Sequence, residues 1–550
     1  MLGRQTKALK TDSSDNVAVA LVDLRSGDTV EVDGQPVVLV DNVKHKHKFA
    51  CAPLPAGTHA RMYGVTVGEV LSDIPLGGVL TTENLKHLSD SFAIEPTDFQ
   101  WTAPDVAQWK EATFDGYVRR DGSVGTANYW IIVPLVFCEN RNIDVIERAL
   151  NKALGFDRVS RYEQFACEIA VAHANDRSDQ VHSLKISDNT IDPGISFPNI
   201  DGVRCLTHTG GCGGTREDAN NLCGLLAGYI NHPNVAGATV LSLGCQNAQV
   251  RILQDELNKR NPSFDRPLLI YQQQDYRSET AMIEDAIRDT YLGIAEAGKL
   301  ERSPAPLSKL SIGVECGASD GFSGISANPL IGQIADYGVA LGGKIILSEF
   351  PELCGVEQEF VNRCTDDESA RRFIEIMRSY GARAEAAGSG FSMNPSPGNI
   401  KDGLITDAIK SAGAGRKGGT SPVVDVLDYP ETATKAGLSL LCTPGNDVES
   451  TTAMVGAGNN LILFSTGLGT PTGNPIAPVI KISSNHAVAI RHSDMIDFDA
   501  GDIVEGKSTV EEMAHKLMSQ IIDVASGHLK TKAMKLGQHD FQPWKRGPSL

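Results

Sequence analysis

Two kinds of apolar patterning succeed one another along the chain. In residues 16–90 the runs are short and alternate or favour β-branched residues, as in "NVAVALVDL", "TVEVDG" and "QPVVLV". Such runs read as strands, and Asp33-Gly34 between two of them reads as a hairpin turn. Glycines at short intervals continue to about residue 80, which predicts a small all-β domain over residues 15–90. The polar, proline-containing stretch "EPTDFQWTAPDVAQWK" predicts a linker over 91–112. From about Tyr117 the texture changes. Unbroken apolar runs ("YWIIVPLVF", "GATVLSLG", "PLLIYQQ", "LSIGVEC", "KIILSEF") alternate with stretches of helical spacing such as "IDVIERALNKAL" and "SETAMIEDAIRDTYLGIAEAG". Continuous apolar strands between helices predict α/β architecture with buried, largely parallel sheet. The pattern divides into two α/β regions, 113–303 and 304–550. The last strong helix, "TVEEMAHKLMSQIIDVASG", is predicted to end at Gly527. Ligands of open α/β sheets bind at the carboxyl ends of the strands, so strand-end loops are where chemistry is to be sought.

Composition narrows the partners. The 550 residues carry a formal charge of −18, which disfavours nucleic acid and anionic membrane, since both require a basic face. No apolar run reaches the roughly 20 residues of a membrane helix, and the first residues lack the apolar core of a secretory signal. The 11 cysteines are odd in number and contain no CxxC pair. They fit reduced thiols in a cytoplasmic setting rather than a disulfide framework or a zinc ribbon.

Four of those cysteines sit at predicted strand ends beside glycine or polar residues: Cys138, Cys212, Cys245 and Cys316. Cys223, within a helical pattern, reads as core. One such thiol alone would be a small buried hydrophobe; four in the same position raise a shared soft-metal site. "HKHKF" at 45–49 would, as a strand, put His45 and His47 on one face and Lys46 and Lys48 on the other. The competing reading is an exposed edge strand blunted by lysines. "NPSPGNIKDG" and "STGLGTPTGNP" offer amides, hydroxyls and backbone N–H groups to anions or sugar hydroxyls, or are ordinary turns. Glu349 and Glu352, and Glu315 and Asp320, could be bases or hard-metal ligands, or solvated loop charges. These residues alone support an α/β enzyme for a small polar molecule and do not name the reaction.

The ordered set "DNVAVALVDL", "HKFA", "DGSVGT", "HPNVAGATVLSLGCQNAQ", "ECGASDGFSGISANPLIG", "NPSPGN", "TPGNDVESTTAMVGAGNNLILFSTGLGTP" and "MIDFDAGDIVEGK" resembles the altronate and galactarate dehydratase family. The resemblance runs from about Asp15 to Gly527 and is greater to the altronate branch. It implies an N-terminal SAF domain, two α/β regions, and dehydration of a sugar acid, D-altronate, to a 2-keto-3-deoxy acid. Galactarate dehydration, elimination of another leaving group as in the related sulfolactate sulfo-lyase, and non-catalytic sugar-acid binding are the alternatives. The chain departs from the family pattern at Leu468 and Thr472, where an arginine and a tyrosine are expected, and at Gln246 and Ala127.

The resemblance also implies ferrous iron, as a mononuclear ion or in an iron–sulfur cluster, with Cys138, Cys212, Cys245 and Cys316 as the expected ligands. Lys48, His208 and Glu349 are the expected catalytic groups. His47, Asn394, Asn399, Ser465, Thr466 and Thr470 are expected to hold the substrate. The expected partners are the sugar acid and further copies of the chain.

Overall fold

The computed structural model describes residues 6–156, 161–175, 177–186 and 194–550. Residues 8–86 form three small antiparallel sheets of three, two and three strands. The hairpin Thr29–Val32/Gln35–Val38 turns at Asp33-Gly34, both with positive φ (48° and 75°), as a two-residue turn of the primed type demands. Residues 89–106 carry no regular secondary structure.

The first α/β region holds a four-stranded parallel sheet. Its spatial order is Gly202–Cys205, Tyr129–Pro134, Val235–Ser242, Leu268–Gln272. The two central strands are wholly buried, which is why they read as unbroken apolar runs. The region enters and leaves through one antiparallel pair. Thr113–Val118 lies against Ser303–Pro306, with Gly116 opposite Ser303 and Thr113 opposite Pro306.

The second α/β region is built on seven strands in one sheet. In spatial order they are Val423–Leu427, Gly437–Leu441, Lys344–Leu347, Ser311–Gly317, Leu461–Thr466, Val479–Ser483 and Phe498–Asp499, all parallel. The chain runs from Ser311–Gly317 to one side and returns on the other at Leu461–Thr466. The order therefore switches between these two strands, and a crevice opens there at their carboxyl ends. The long helix Val510–Ala525 closes the domain, and Gly527 beyond it takes φ +75°. One apolar core joins the β domain to the seven-stranded region: Val17, Met62, Tyr63 and Val67 pack in the same cluster as Ile325, Leu404 and Ile409. Among the described residues no helix is long and apolar enough to cross a membrane.

The "HKHKF" expectation is corrected. Only Lys48–Ala50 is strand, and Lys46 turns the chain with φ +73°. Neither is the segment a lysine-blunted edge: Lys46 is 7% and Lys48 1% exposed, because the seven-stranded region covers them.

Candidate active site

The strand Ser311–Gly317 is buried along its whole length and still carries Glu315 and Cys316 at its carboxyl end. A charge in a central strand is expensive unless paired, and here the pairing comes from four other elements. Glu349 follows the neighbouring strand in a left-handed conformation, φ +62°, held by its backbone N–H donating to Thr443 Oγ1 at 2.8 Å. A non-glycine residue in that region is strained and marks a constrained position. Glu352 lies on the short helical turn after it. Lys410 comes from the helix Asp407–Gly415 and Lys417 from the turn that follows. Asp447 opens the helix Asp447–Gly456, whose N-cap is Asn446.

The contacts form a connected network. The Lys417 ammonium donates to Cys316 Sγ at 2.8 Å and to Glu349 Oε2 at 3.2 Å. Lys410 pairs with Glu352 Oε1 at 2.7 Å and donates to Asn394 Oδ1 at 2.9 Å. The Cys316 thiol donates to Glu352 Oε2 at 3.3 Å. Ser348 donates to Glu315 Oε2 at 3.3 Å and lies 2.7 Å from the Ser450 hydroxyl. Glu315, Glu349 and Lys417 are at most 1% exposed. The half-buried Asn394 and Asp447 mark the side on which the network approaches solvent.

Burial and charge push the protonation states apart. Glu349 is raised well above the usual carboxylate range by burial and by Glu315 and Glu352. Burial also raises Glu315 and lifts Asp447 to about 7. Burial works against ionised Glu352 too, but Lys410 and Lys417 outweigh it and hold its value down. Both lysines stay cationic against burial because of the acidic groups around them. Cys316 is pushed to about 12, chiefly by burial, so it is a thiol. Carboxyl groups with separated proton affinities in one pocket are what acid–base chemistry requires.

Among the described residues three sets of side chains present ligand atoms within 4.8 Å of one another: Glu315, Glu349 and Asp447, then Cys316, Glu349 and Glu352, both in this network, and His87, Cys354 and Asp407 outside it. Glu315 Oε1 and Glu349 Oε1 are buried without any hydrogen-bond partner. Three carboxylates with spare oxygens suit a divalent cation that accepts oxygen ligands.

The structure divides the sequence-derived candidates. Glu349, Cys316 and Asn394 belong to this network. Lys410, Lys417 and Asp447 were not singled out as candidates. Cys138, Cys212 and Cys245 lie instead on loops after three strands of the four-stranded sheet, and all three are exposed. The four thiols thus do not meet at one centre. His208 is buried, and its ring is engaged on both sides. Nε2 contacts Pro134 O at 2.8 Å, and Nδ1 accepts from Gly210 N–H at 3.1 Å. Burial lowers its value to about 4, so it is a neutral pin for the glycine-rich loop.

Lys48 lies outside the network, under the β domain, and donates to Lys46 O and Gly403 O at 3.0 and 2.7 Å. His47 Nε2 contacts Lys401 O at 3.0 Å. Asn399 forms a capping box with Ser396 and donates to Ser319 O. Ser465 donates to Asn328. Thr466 accepts the N–H groups of Gly469 and Thr470, and so shapes the loop that carries Leu468. Leu468 borders a cleft of ≈ 480 Å³ with His45, Lys46, Lys401, His486 and Arg491. Gln246 spans its own turn, accepting from Gly244 N–H and donating to Ser242. Thr472 and Ala127 are buried.

Family models match the chain in three consecutive stretches. They are the altronate/galactarate dehydratase SAF domain over residues 6–88, the D-galactarate dehydratase/altronate hydrolase second domain over 116–298, and the D-galactarate/altronate dehydratase C-terminal region over 307–549. Altronate dehydratase of Escherichia coli K12 is 34% identical over 522 residues, which cover 94% of this chain and 95% of the relative. Altronate dehydratase of Bacillus subtilis 168 is 32% identical over 523 residues, 95% of each chain. Galactarate dehydratase (L-threo-forming) of E. coli K12 is 30% identical, covering 97% of this chain and 95% of the relative.

Proposed function

The chain belongs to the D-galactarate/altronate dehydratase family, and on that footing we propose that it removes water from D-altronate to give 2-dehydro-3-deoxy-D-gluconate. It is a carbon–oxygen lyase for a sugar acid. The observation that carries the reading is the buried network of Glu315, Cys316, Glu349, Glu352, Lys410 and Lys417 at the switch crevice. Carboxyl groups set apart in proton affinity beside two buried lysines suit proton transfer more than binding alone.

The reaction breaks the C2–H and C3–O bonds. The C2 proton is weakly acidic because the charge it leaves must spread onto an existing carboxylate. Lys410 and Lys417, both held cationic, supply fixed positive charge where that enediolate forms. Glu352, held ionised between Lys410 and Cys316, is the carboxylate of the set that stands without a proton and so can receive one. Glu352 then returns the proton to the departing C3 hydroxyl, and the enol left after water departs ketonises at C2. The family resemblance implies ferrous iron, and Glu315, Glu349 and Asp447 are the residues whose spare oxygens fit such an ion. When bound, it would act as a Lewis acid toward substrate oxygen. The cleft beside Leu468, where the family pattern leads one to expect an arginine, is lined by Lys46, Lys401 and Arg491 together with Asp402 and Glu505. The setting is a reducing, cytoplasmic one, in keeping with eleven free thiols, and the partners are the sugar acid and copies of the chain itself.

A keto-acid assay on D-altronate and galactarate, with and without added ferrous iron, tests the proposal. Turnover of D-altronate that disappears in Glu352→Gln is the expected result. No keto acid from either substrate in the iron-loaded protein would overturn it.

A further inference from the structure

The third ligand set lies where the β domain meets the second α/β region. His87 directly follows Leu85–Lys86, the last strand of the β domain. Cys354 follows the helical turn Phe350–Leu353, and Asp407 opens the helix Asp407–Gly415. These three segments, far apart in sequence, are drawn tightly together. Thr406, the N-cap of that helix, donates its hydroxyl to Val67 O of the β domain at 2.8 Å. Gly355, at φ +100°, approaches so closely that a Cβ there would lie 3.2 Å from Ala408 Cβ and 3.5 Å from Ser89 Cβ. The ligand atoms of His87, Cys354 and Asp407 all fall within 4.8 Å of one another, with His87 Nε2 4.0 Å from Cys354 Sγ. Asp407 is 0% exposed, and neither of its carboxylate oxygens has a hydrogen-bond partner. A buried carboxyl with nothing to bond calls for an occupant. Lys410, one turn along the same helix, is already committed to Glu352 and Asn394.

We propose that His87, Cys354 and Asp407 bind a zinc ion that fastens the β domain to the active-site region. One imidazole nitrogen, one sulfur and one carboxylate oxygen make a donor set that zinc accepts. The set is too soft for calcium or magnesium, which take oxygen alone, and a single thiolate does not hold an iron–sulfur cluster. A site of nitrogen and sulfur donors binds zinc more tightly than ferrous iron. At about 2.0–2.3 Å per bond, tetrahedral ligand atoms stand roughly 3.5 Å apart, so His87 Nε2 and Cys354 Sγ need close by only about half an ångström. His87 Nδ1 accepts from Ala408 N–H at 3.3 Å, which leaves the ring hydrogen on Nε2. A metal at Nε2 moves that hydrogen to Nδ1 and gives up this one long bond. Burial raises the Cys354 thiol and the Asp407 carboxyl, and the neighbouring Glu357 adds to both. A divalent cation supplies the positive charge these groups lack, and the thiol proton is released as it binds. Glu357 is the neighbour placed to fill a fourth position. Cys354 lies two residues beyond Glu352, and Asp407 three before Lys410, so the ion would brace that catalytic pair from behind.

The site shares no residue with the three carboxylates fitted to ferrous iron, and its test uses no substrate, so it stands or falls apart from the dehydratase assay. The full chain is stripped with a chelator and titrated with zinc, and separately with cobalt, which reports a thiolate ligand by a charge-transfer band and tetrahedral geometry by intense visible bands. About one zinc per chain is expected, together with the cobalt–thiolate band and a rise in melting temperature on adding zinc. All three should be lost in His87→Ala, Cys354→Ser and Asp407→Asn, and kept in Cys316→Ser, which removes the thiol of the other sulfur-containing set. A wild-type chain that takes up neither zinc nor cobalt would overturn the proposal. So would His87→Ala or Cys354→Ser, folded by circular dichroism, that keep the full cobalt–thiolate band, or a band lost in Cys316→Ser instead. Because the wild-type titration decides on its own, a variant that fails to fold does not rescue the idea.

Discussion

Replacing Lys417 with methionine asks whether charge balance holds the buried network. The change keeps most of the side chain's volume and removes the cation facing Cys316 and Glu349. Taking one partner from a buried pair costs about 3–5 kcal/mol if the orphaned charge must remain. Glu349 has a way out. Its value already lies well above the ordinary 4.5, and Lys417 is among the influences lowering it, so removing the lysine raises it further and the carboxyl takes up a proton. Between the wild-type value and the variant's, the folded variant binds a proton that the wild type does not. A carboxyl raised on folding loses stability as pH rises above its ordinary value, and the variant does so over a wider range. The lysine itself adds no slope there, because its own value lies above 10.5 and its contribution is fully present at lower pH. One proton over one pH unit is about 1.4 kcal/mol. The variant's deficit should therefore widen between about pH 5 and about pH 8, by about 1.4 kcal/mol for each pH unit of that window lying between the wild-type and variant values of Glu349. Urea unfolding of both proteins at the two pH values, followed by circular dichroism, measures it. A deficit independent of pH, or below about 1 kcal/mol at both, would refute the charge-balance argument.

Glu349→Gln should lower kcat by about 10²–10⁴ and also lower the melting temperature, since buried Lys417 loses the carboxylate it pairs with at 3.2 Å; activity and calorimetry on one preparation check this. His208→Gln should cost about 1–3 kcal/mol of stability through its lost backbone contacts. It should leave the shape of the pH–rate profile above about pH 5 unchanged, because a ring held at about 4 is already neutral there. Asp218→Ala removes the acceptor that Arg546 and Gly547 N–H use, at 2.8 and 3.1 Å, together with part of the cap of the helix Arg216–Ile230. It should free the segment that covers the Cys212 loop, seen as faster reaction of Cys212 with a thiol reagent. Asn394→Ala should raise KM or lower kcat by about tenfold without unfolding, since its carbonyl positions Lys410, and steady-state kinetics separates the two.

The strands of both parallel sheets were legible because buried strands must be apolar on both faces, and such runs have few other readings. The hairpin at Asp33-Gly34 and the helix stop at Gly527 were legible because positive φ selects residue types. Glu349, Cys316 and Asn394 were legible as chemistry placed at strand ends. Lys410 and Lys417 were not. Each is a single basic residue in a small-residue helix or turn, far along the chain from its partners (Lys417 is 68 positions from Glu349 and 101 from Cys316), and nothing local records a pairing made across a sheet. The four cysteines looked alike because each ends a strand; only the topology shows that they end strands of different sheets. Asn399 closes a cap and Thr466 a turn, the commoner use of such side chains, while Ser465 bonds Asn328 across the fold.

The antiparallel pair through which the four-stranded region enters and leaves has an evolutionary meaning. Residues 116 and 303 stand opposite each other, so everything between them is a cassette whose two ends coincide. Coincident ends let recombination exchange one version of such a unit for another without re-routing the host chain. The exchange is constrained by packing, because Leu222, Leu225 and Tyr229 of the insert share an apolar core with Ile346, Met454 and Phe464 of the host, so the two must have changed together along that seam.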